Sequence, residues 1–296
     1  MEFFIAGYPK CGTTSLYAYL KDHSGAFLPE VKEPHFFTTD RPGARAIESE
    51  ADYRALYRNA ETSQLKGDAS ASVIHSGVAL DQILARYPQA KFIVVVREPV
   101  SAMRSFHGEM LYNLNEDVED VERAWRLQTV RAQGQALPST CREPMFLQYG
   151  QVFRYRDHLP VFYGKVPAGQ RLVLVFEEFF ADPRVGYLQV LDFLGLKDDG
   201  RCEFGAVNSA RLHRIRALAK MHRKLVGGNG RFYRGGKVVL SRLGVHPSHI
   251  LERFNRKNGG KSQIGLQFEA ELREHFRADV DTVERLLGRE MKLWRR

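Results

Sequence analysis

The 296 residues predict an α/β fold, a central parallel β-sheet flanked by helices in a three-layer sandwich. Three observations carry that expectation. An apolar run, Phe3 to Ala6, leads at once into a loop bounded by glycines, Gly7 to Gly12, and then into helical spacing from Thr13 to Leu20. A second run, Ala90 to Val96 (AKFIVVV), is almost wholly apolar and β-branched, as suits a parallel strand buried on both faces. Elsewhere the apolar segments alternate between strand and helix periods, and 44% hydrophobic residues supply ample material for one core.

The first strand, loop and helix, FFIAGYPKCGTT, make the fold one of the P-loop type, because the amides of such a loop and of the helix start converge on an anion. Its lysine is displaced. In the nucleotide-triphosphatase pattern a lysine follows the second glycine and the next hydroxyl holds magnesium. Here Thr13 takes that place, and the loop's lysine is Lys10, two residues before Gly12. The cation is therefore aimed at a different atom of the bound phosphate, with no obvious metal site. Cys11 lies where a helix start lowers a thiol pKa. A C-x5-R phosphatase loop would need arginine at position 17, which is Tyr17, so Cys11 is read as a small packing residue.

These residues resemble the sulfotransferases that use 3′-phosphoadenosine 5′-phosphosulfate (PAPS), whose first signature looks like P-K-[SC]-G-T-T-[ST]-L; this chain has Pro9-Lys10-Cys11-Gly12-Thr13-Thr14-Ser15-Leu16. The resemblance implies that Lys10, Cys11, Gly12, Thr13, Thr14 and Ser15 hold the 5′-phosphosulfate, with Lys10 near the bridging oxygen. A fixed ammonium suits a site where charge grows as the S–O bond breaks.

Next in order, Lys32-Glu33-Pro34-His35-Phe36-Phe37 is similar to the KEPHFF-type loop of heparan sulfate and related carbohydrate sulfotransferases, in which the glutamate is the general base. A carboxylate set between aromatics and beside a lysine can accept a proton from a hydroxyl or amine. His35 is the rival base, or a support for Glu33. Lys66 to Ser72 (KGDASAS) occupies the place of E-K-[ST]-P-A in animal relatives: Asp68 keeps the acid, while Ala69 and Ala71 replace the lysine and the proline. Asp68 and Ser70 are expected, with Glu33 and His35, to face the acceptor.

After the strand at 90–96, Glu98-Pro99 break the run and Val100 to Asn113 reads as a helix with proline near its start. Arg97 thus stands at a strand's carboxyl end and Ser105 two turns into the helix, where open α/β sheets bind ligands. With Pro99 they match R-x-P-x-x-x-x-x-S, which implies contact with the 3′-phosphate. A helical acceptor-side insertion is expected at about 115–144. Gln170 to Glu178 looks like a later strand of the family, followed by Asp182-Pro183 and a helix ending in Asp192-Phe193-Leu194-Gly195-Leu196; Phe276 to Trp294 looks like its closing stretch.

Net charge is +9, and residues 211–261 hold 14 Lys and Arg against the single acid Glu252, which leaves the rest of the chain net acidic. Within that segment Leu212 to Val226 has helical apolar spacing, Gly227 to Gly236 reads as a basic loop and Ser248 to Asn255 as another helix. The segment is expected to act as a lid over the 3′-phosphate that also draws in an anionic acceptor. Arg256, Lys257 and Lys261 resemble the late basic loop that touches that phosphate in relatives.

One domain over 1–296 is therefore expected to move a sulfuryl group from PAPS to a hydroxyl or amine, on a glycan or a small molecule. No metal and no nucleic-acid partner are expected. Two other classes compete: a P-loop kinase, which lacks the Walker lysine here, and a non-catalytic polyanion binder. The three cysteines, Cys11, Cys141 and Cys202, have no metal spacing and read as reduced thiols. With a strand beginning at Phe3 and no long apolar run, the chain is expected to be cytoplasmic.

Overall fold

The computed structural model describes residues 1–41, 43, 45–141, 143–205, 211–213, 256–258 and 264–295. Five parallel strands form the central sheet: β1 (Phe3–Gly7), β2 (Ala26–Phe27), β3 (Leu65–Asp68), β4 (Lys91–Val96) and β5 (Arg171–Val175), in the spatial order β2-β3-β1-β4-β5. Strand β1 is central because each of its residues is buried, and it runs in register with β4 from Phe3 beside Lys91 to Gly7 beside Val95. On its other side Phe3 pairs with Gly67, where a side chain is excluded: a Cβ would lie 2.2 Å from the Phe3 ring.

Helices cover both faces. In chain order they are α1 (Thr13–Lys21), α2 (Glu50–Ala55), α3 (Gly77–Arg86), α4 (Pro99–Tyr112), α5 (Val121–Arg126), α6 (Gln128–Ala132), α7 (Tyr149–Val152), α8 (Tyr155–Lys165), α9 (Phe176–Ala181), α10 (Pro183–Leu194), α11 (Leu266–His275) and α12 (Arg277–Leu287). Helix α4 starts where Pro99 fixes the first turn and the Glu98 carboxylate accepts from the amides of Val100 and Ser101, at 2.9 and 2.6 Å. The short helices α5 and α6 are tied down by a fully buried pair: Arg131 donates to both oxygens of Glu116, at 2.6 and 2.7 Å, and the Tyr149 hydroxyl adds a third bond.

Two expectations need correction. The strand expected over 170–178 ends at Val175, and Phe176 opens α9. There Glu177 accepts from the Glu98 amide and the Trp294 indole, at 3.1 and 3.0 Å, and the rings of Phe176 and Phe180 pack tilted against each other one turn apart, contacts that a continuing strand would not make. The helix expected from Leu212 begins instead in a strand, β6 (Arg211–His213), which pairs antiparallel with β7 (Arg256–Asn258). A ladder partner outweighs local apolar spacing at those residues. The rest of that segment, with Lys261, lies outside the described residues.

Candidate active site

The loops that follow β1, β2, β3, β4 and β5 all emerge at the carboxyl edge of the sheet. Strand order reverses between β1 and β4, the place where open α/β sheets form a ligand crevice. Lys10 comes from the first of those two loops and Arg97 from the second.

The Lys10 loop is tightly made. Lys10 and Gly12 both have positive φ, 63° and 91°. At Gly12 a side chain is excluded twice, by the backbone and by Phe180, whose ring atom would lie 2.4 Å from a Cβ. The Cys11 amide is bonded to Tyr8 O, and those of Ser15 and Leu16 to Gly12 O, at 3.3, 3.0 and 3.1 Å. The amides of Gly12, Thr13 and Thr14 have no such partner among the described residues, and they sit at the start of a nine-residue helix. These are the groups that an anion would recruit. Cys11 and Ser15, also expected among the anion ligands, are buried, and their amides are bonded within the loop. Burial pushes the Cys11 thiol up to about 12, which removes it as a nucleophile.

Arg97 braces this loop. Its Nη1 donates to the Lys10 carbonyl at 2.8 Å, its guanidinium lies 4.2 Å from the centre of the Phe176 ring, and its Nε is buried without a partner among the described residues. The Tyr155 hydroxyl donates to the Arg97 carbonyl at 2.7 Å and its ring packs on Tyr8 of the Lys10 loop. Ser105 is partly exposed on α4, and one turn further Glu109 places Oε2 2.9 Å from Lys10 Nζ. Strand β6 lies against α4, so the backbone of its partner β7, with Arg256 and Lys257, is brought to the flank of the helix that bears Ser105.

The Glu33 loop is held differently. Glu33 and His35 both have positive φ, 60° and 51°. Glu33 Oε1 is bonded to the Lys32 ammonium, and Oε2 lies 3.3 Å from His35 Nε2. Burial opposes ionisation of Glu33, but the His35 imidazole and the Lys32 ammonium outweigh it and hold the carboxyl down at about 2. The Ser70 hydroxyl accepts from the His35 amide at 2.9 Å, and the Ser72 hydroxyl lies 2.6 Å from His35 Nδ1. Asp68 in turn accepts from the Ser70 amide and the Tyr53 hydroxyl, both at 2.8 Å. Burial pushes the Asp68 carboxyl above its usual range against those bonds.

Asp68 and Ser70, expected to face an acceptor, are 1% and 2% exposed and support the loop from beneath. The two clusters meet through the 3₁₀ turn Ala71–His75, which gives Ser72 to His35 and packs His75 against Tyr8, ring centres 5.1 Å apart. Sequence reasoning missed Glu109, Ser72, Phe176 and Phe180. Helical spacing from Ser105 would have found Glu109, whereas the phenylalanines meet the loop only through the fold.

The sulfotransferase domain family matches residues 1–213. The chain is 30% identical over 200 residues to the mouse heparan sulfate glucosamine 3-O-sulfotransferase 3B1, a match spanning 66% of this chain and 46% of that protein. It is 30% identical over 146 residues to the rat carbohydrate sulfotransferase 15, spanning 35% and 26%. The chain thus spans less than half the length of these curated relatives. Among solved structures, a sulfotransferase from Alicyclobacillus acidocaldarius superposes with a TM-score of 0.71 at 21% identity, covering 100% of this chain and 98% of that one, a likeness of fold.

Proposed function

This chain belongs to the sulfotransferase domain family, and from that premise we propose that it moves the sulfuryl group of PAPS to a hydroxyl or amine of a carbohydrate, glycolipid or hydroxylated metabolite. The observation that supports the reading is that the two loops flanking the strand-order reversal bring together amides of Gly12, Thr13 and Thr14 that have no partner among the described residues, the Lys10 ammonium and the Arg97 guanidinium, which is bonded to the Lys10 carbonyl. These residues suit a phosphosulfate nucleotide: amides for the 5′-phosphate, a cation for the leaving oxygen and an arginine with an unused buried Nε for a second phosphate.

The donor supplies an activated sulfuryl group. Lys10 and the loop amides neutralise charge on the oxygen that departs, so the chain itself forms no covalent bond. Arg97 and Ser105 select the 3′-phosphate, with Arg256 and Lys257 on the flanking strand. Glu33 takes the acceptor proton. A carboxylate held at about 2 is a weak base by itself. The acceptor therefore has to loosen the Lys32 contact, or the proton is shared with His35 at 3.3 Å. Asp68 and Ser70 keep that pair in place. The names of the curated relatives favour a glycan acceptor.

Calorimetric titration with adenosine 3′,5′-bisphosphate, AMP and magnesium-ATP tests the reading without knowledge of the acceptor. Micromolar binding of the bisphosphate, with much weaker AMP, is expected. Preference for magnesium-ATP would overturn it in favour of a kinase.

A further inference from the structure

Lys10 is held at both ends by the segment that starts with Arg97. Its carbonyl receives Arg97 Nη1 at 2.8 Å, and its ammonium sits 2.9 Å from Glu109 Oε2. The residue between those anchors has φ 63°, a conformation unfavourable for any side chain with a Cβ by about 1–2 kcal/mol. Strain of this kind persists where neighbouring groups over-determine it. The Glu109 carboxylate is fixed by its own helix, one turn beyond Ser105 on the same face of α4. The lysine and glutamate side chains are 22% and 36% exposed, so the pair is partly screened but not free in solvent.

The ammonium that Glu109 engages is the one the proposed reaction requires at the leaving oxygen, and one cation cannot fully satisfy two anions. We propose that Glu109 is a positioning residue for Lys10: it holds the ammonium at the mouth of the loop and competes for it with the phosphosulfate, so that it sets donor affinity. This rests on the sulfotransferase reading. The position of Glu109 distinguishes it from a surface partner, because the helix that carries it also carries Ser105 and begins beside Arg97. Arg97 and Ser105, which meet the nucleotide in this reading, and Glu109, which holds Lys10, are therefore mounted on one connection.

The test is a double-mutant cycle of Lys10→Met and Glu109→Gln, read in two ways. Urea unfolding without added nucleotide is expected to show that the two substitutions together cost less than the sum of the single ones. Titration with adenosine 3′,5′-bisphosphate is expected to show Glu109→Gln binding roughly two- to fivefold tighter than wild type, the size of an exposed charge pair, with a steeper dependence on salt. Glu109→Asp lengthens the contact by one methylene but keeps the negative charge beside Lys10, so it is expected to tighten binding less than Glu109→Gln does. Additive stability effects, or equal or weaker binding by Glu109→Gln while wild type binds well, would overturn the proposal. Failure of wild type itself to bind the bisphosphate is a different result: it overturns the sulfotransferase reading, and the competition falls with it.

Discussion

Around Lys10 the site is held by main chain, whereas around Glu33 it is held by side chains. The Lys10 loop is fixed by amide-to-carbonyl bonds, by a glycine fitted against Phe180, and by Arg97 gripping a carbonyl oxygen. The Glu33 loop hangs from Ser70 and Ser72 hydroxyls, an Asp68 carboxylate beneath them, and the Lys32 and His35 contacts to Glu33. A main-chain cradle tolerates substitution of most of its side chains; a side-chain scaffold does not.

The strongest way to break this comparison is at the one side chain the Lys10 loop needs. Lys10→Ala is expected to lower turnover by roughly 10²-fold or more while the protein stays folded, as loss of an oxyanion donor does. Turnover near wild type, measured at saturating donor, would remove Lys10 from the chemistry. Arg97→Ala is expected to weaken bisphosphate binding by roughly 10- to 100-fold, the worth of a charge-assisted hydrogen bond or two, with a smaller effect on turnover at saturation. Unchanged affinity by calorimetry would refute its phosphate role. On the other side, Ser70→Ala removes the acceptor for the His35 amide and is expected to cost about 1 kcal/mol in urea unfolding and to lower turnover, yet to leave bisphosphate binding at the wild-type level. Loss of binding in that variant would show that the two sides are one unit.

Legibility in the sequence follows the same division. The sheet, the loop after β1 and the Arg97–Ser105 connection were readable because apolar runs, glycines and a proline at a helix start impose local conformations. Arg97 and Lys10 were both singled out, but their contact was not, since it depends on β1 and β4 being neighbours. On the Glu33 side the residues were named, but the cover over two of them was not legible. Asp68 and Ser70 read as facing the acceptor, because a sequence gives no sign of which polar residue at a strand end is covered. Burial decided it: Tyr53, from α2, closes over Asp68. The turn of Phe176 out of the sheet was likewise hidden, because Phe-Glu-Glu-Phe suits a strand end and a helix start equally, and the choice is made by Glu98 and Trp294 from elsewhere in the chain.

Glu33 and one acid behind the Lys10 loop are displaced in opposite directions, and this gives the finest test of the comparison. Behind the Lys10 loop, Asp279 on α12 is buried near Tyr8, accepts from the Arg156 amide at 2.9 Å and has its Oδ2 3.5 Å from Arg156 Nη1. Burial raises it to about 6 from an ordinary value of 3.8. Its protonated form therefore favours the folded state, and the stability it gives is present below 3.8 and lost as pH rises through about 6. Glu33 is held at about 2, below its ordinary 4.5, so its contribution is present above 4.5 and lost as pH falls toward 2. Urea unfolding across that range should show Asp279→Asn relieving the loss of stability as pH rises from 3.8 through about 6, and Glu33→Gln relieving the loss on the acid side, each without touching the other limb. The Glu33 effect is the smaller of the two, because its side chain is 34% exposed and solvent screens the contacts that depress it, whereas that of Asp279 is 0% exposed. If one substitution moved both limbs, the acids would be coupled through the 3₁₀ turn that joins Tyr8 to His35, and the division between a main-chain half and a side-chain half would fail.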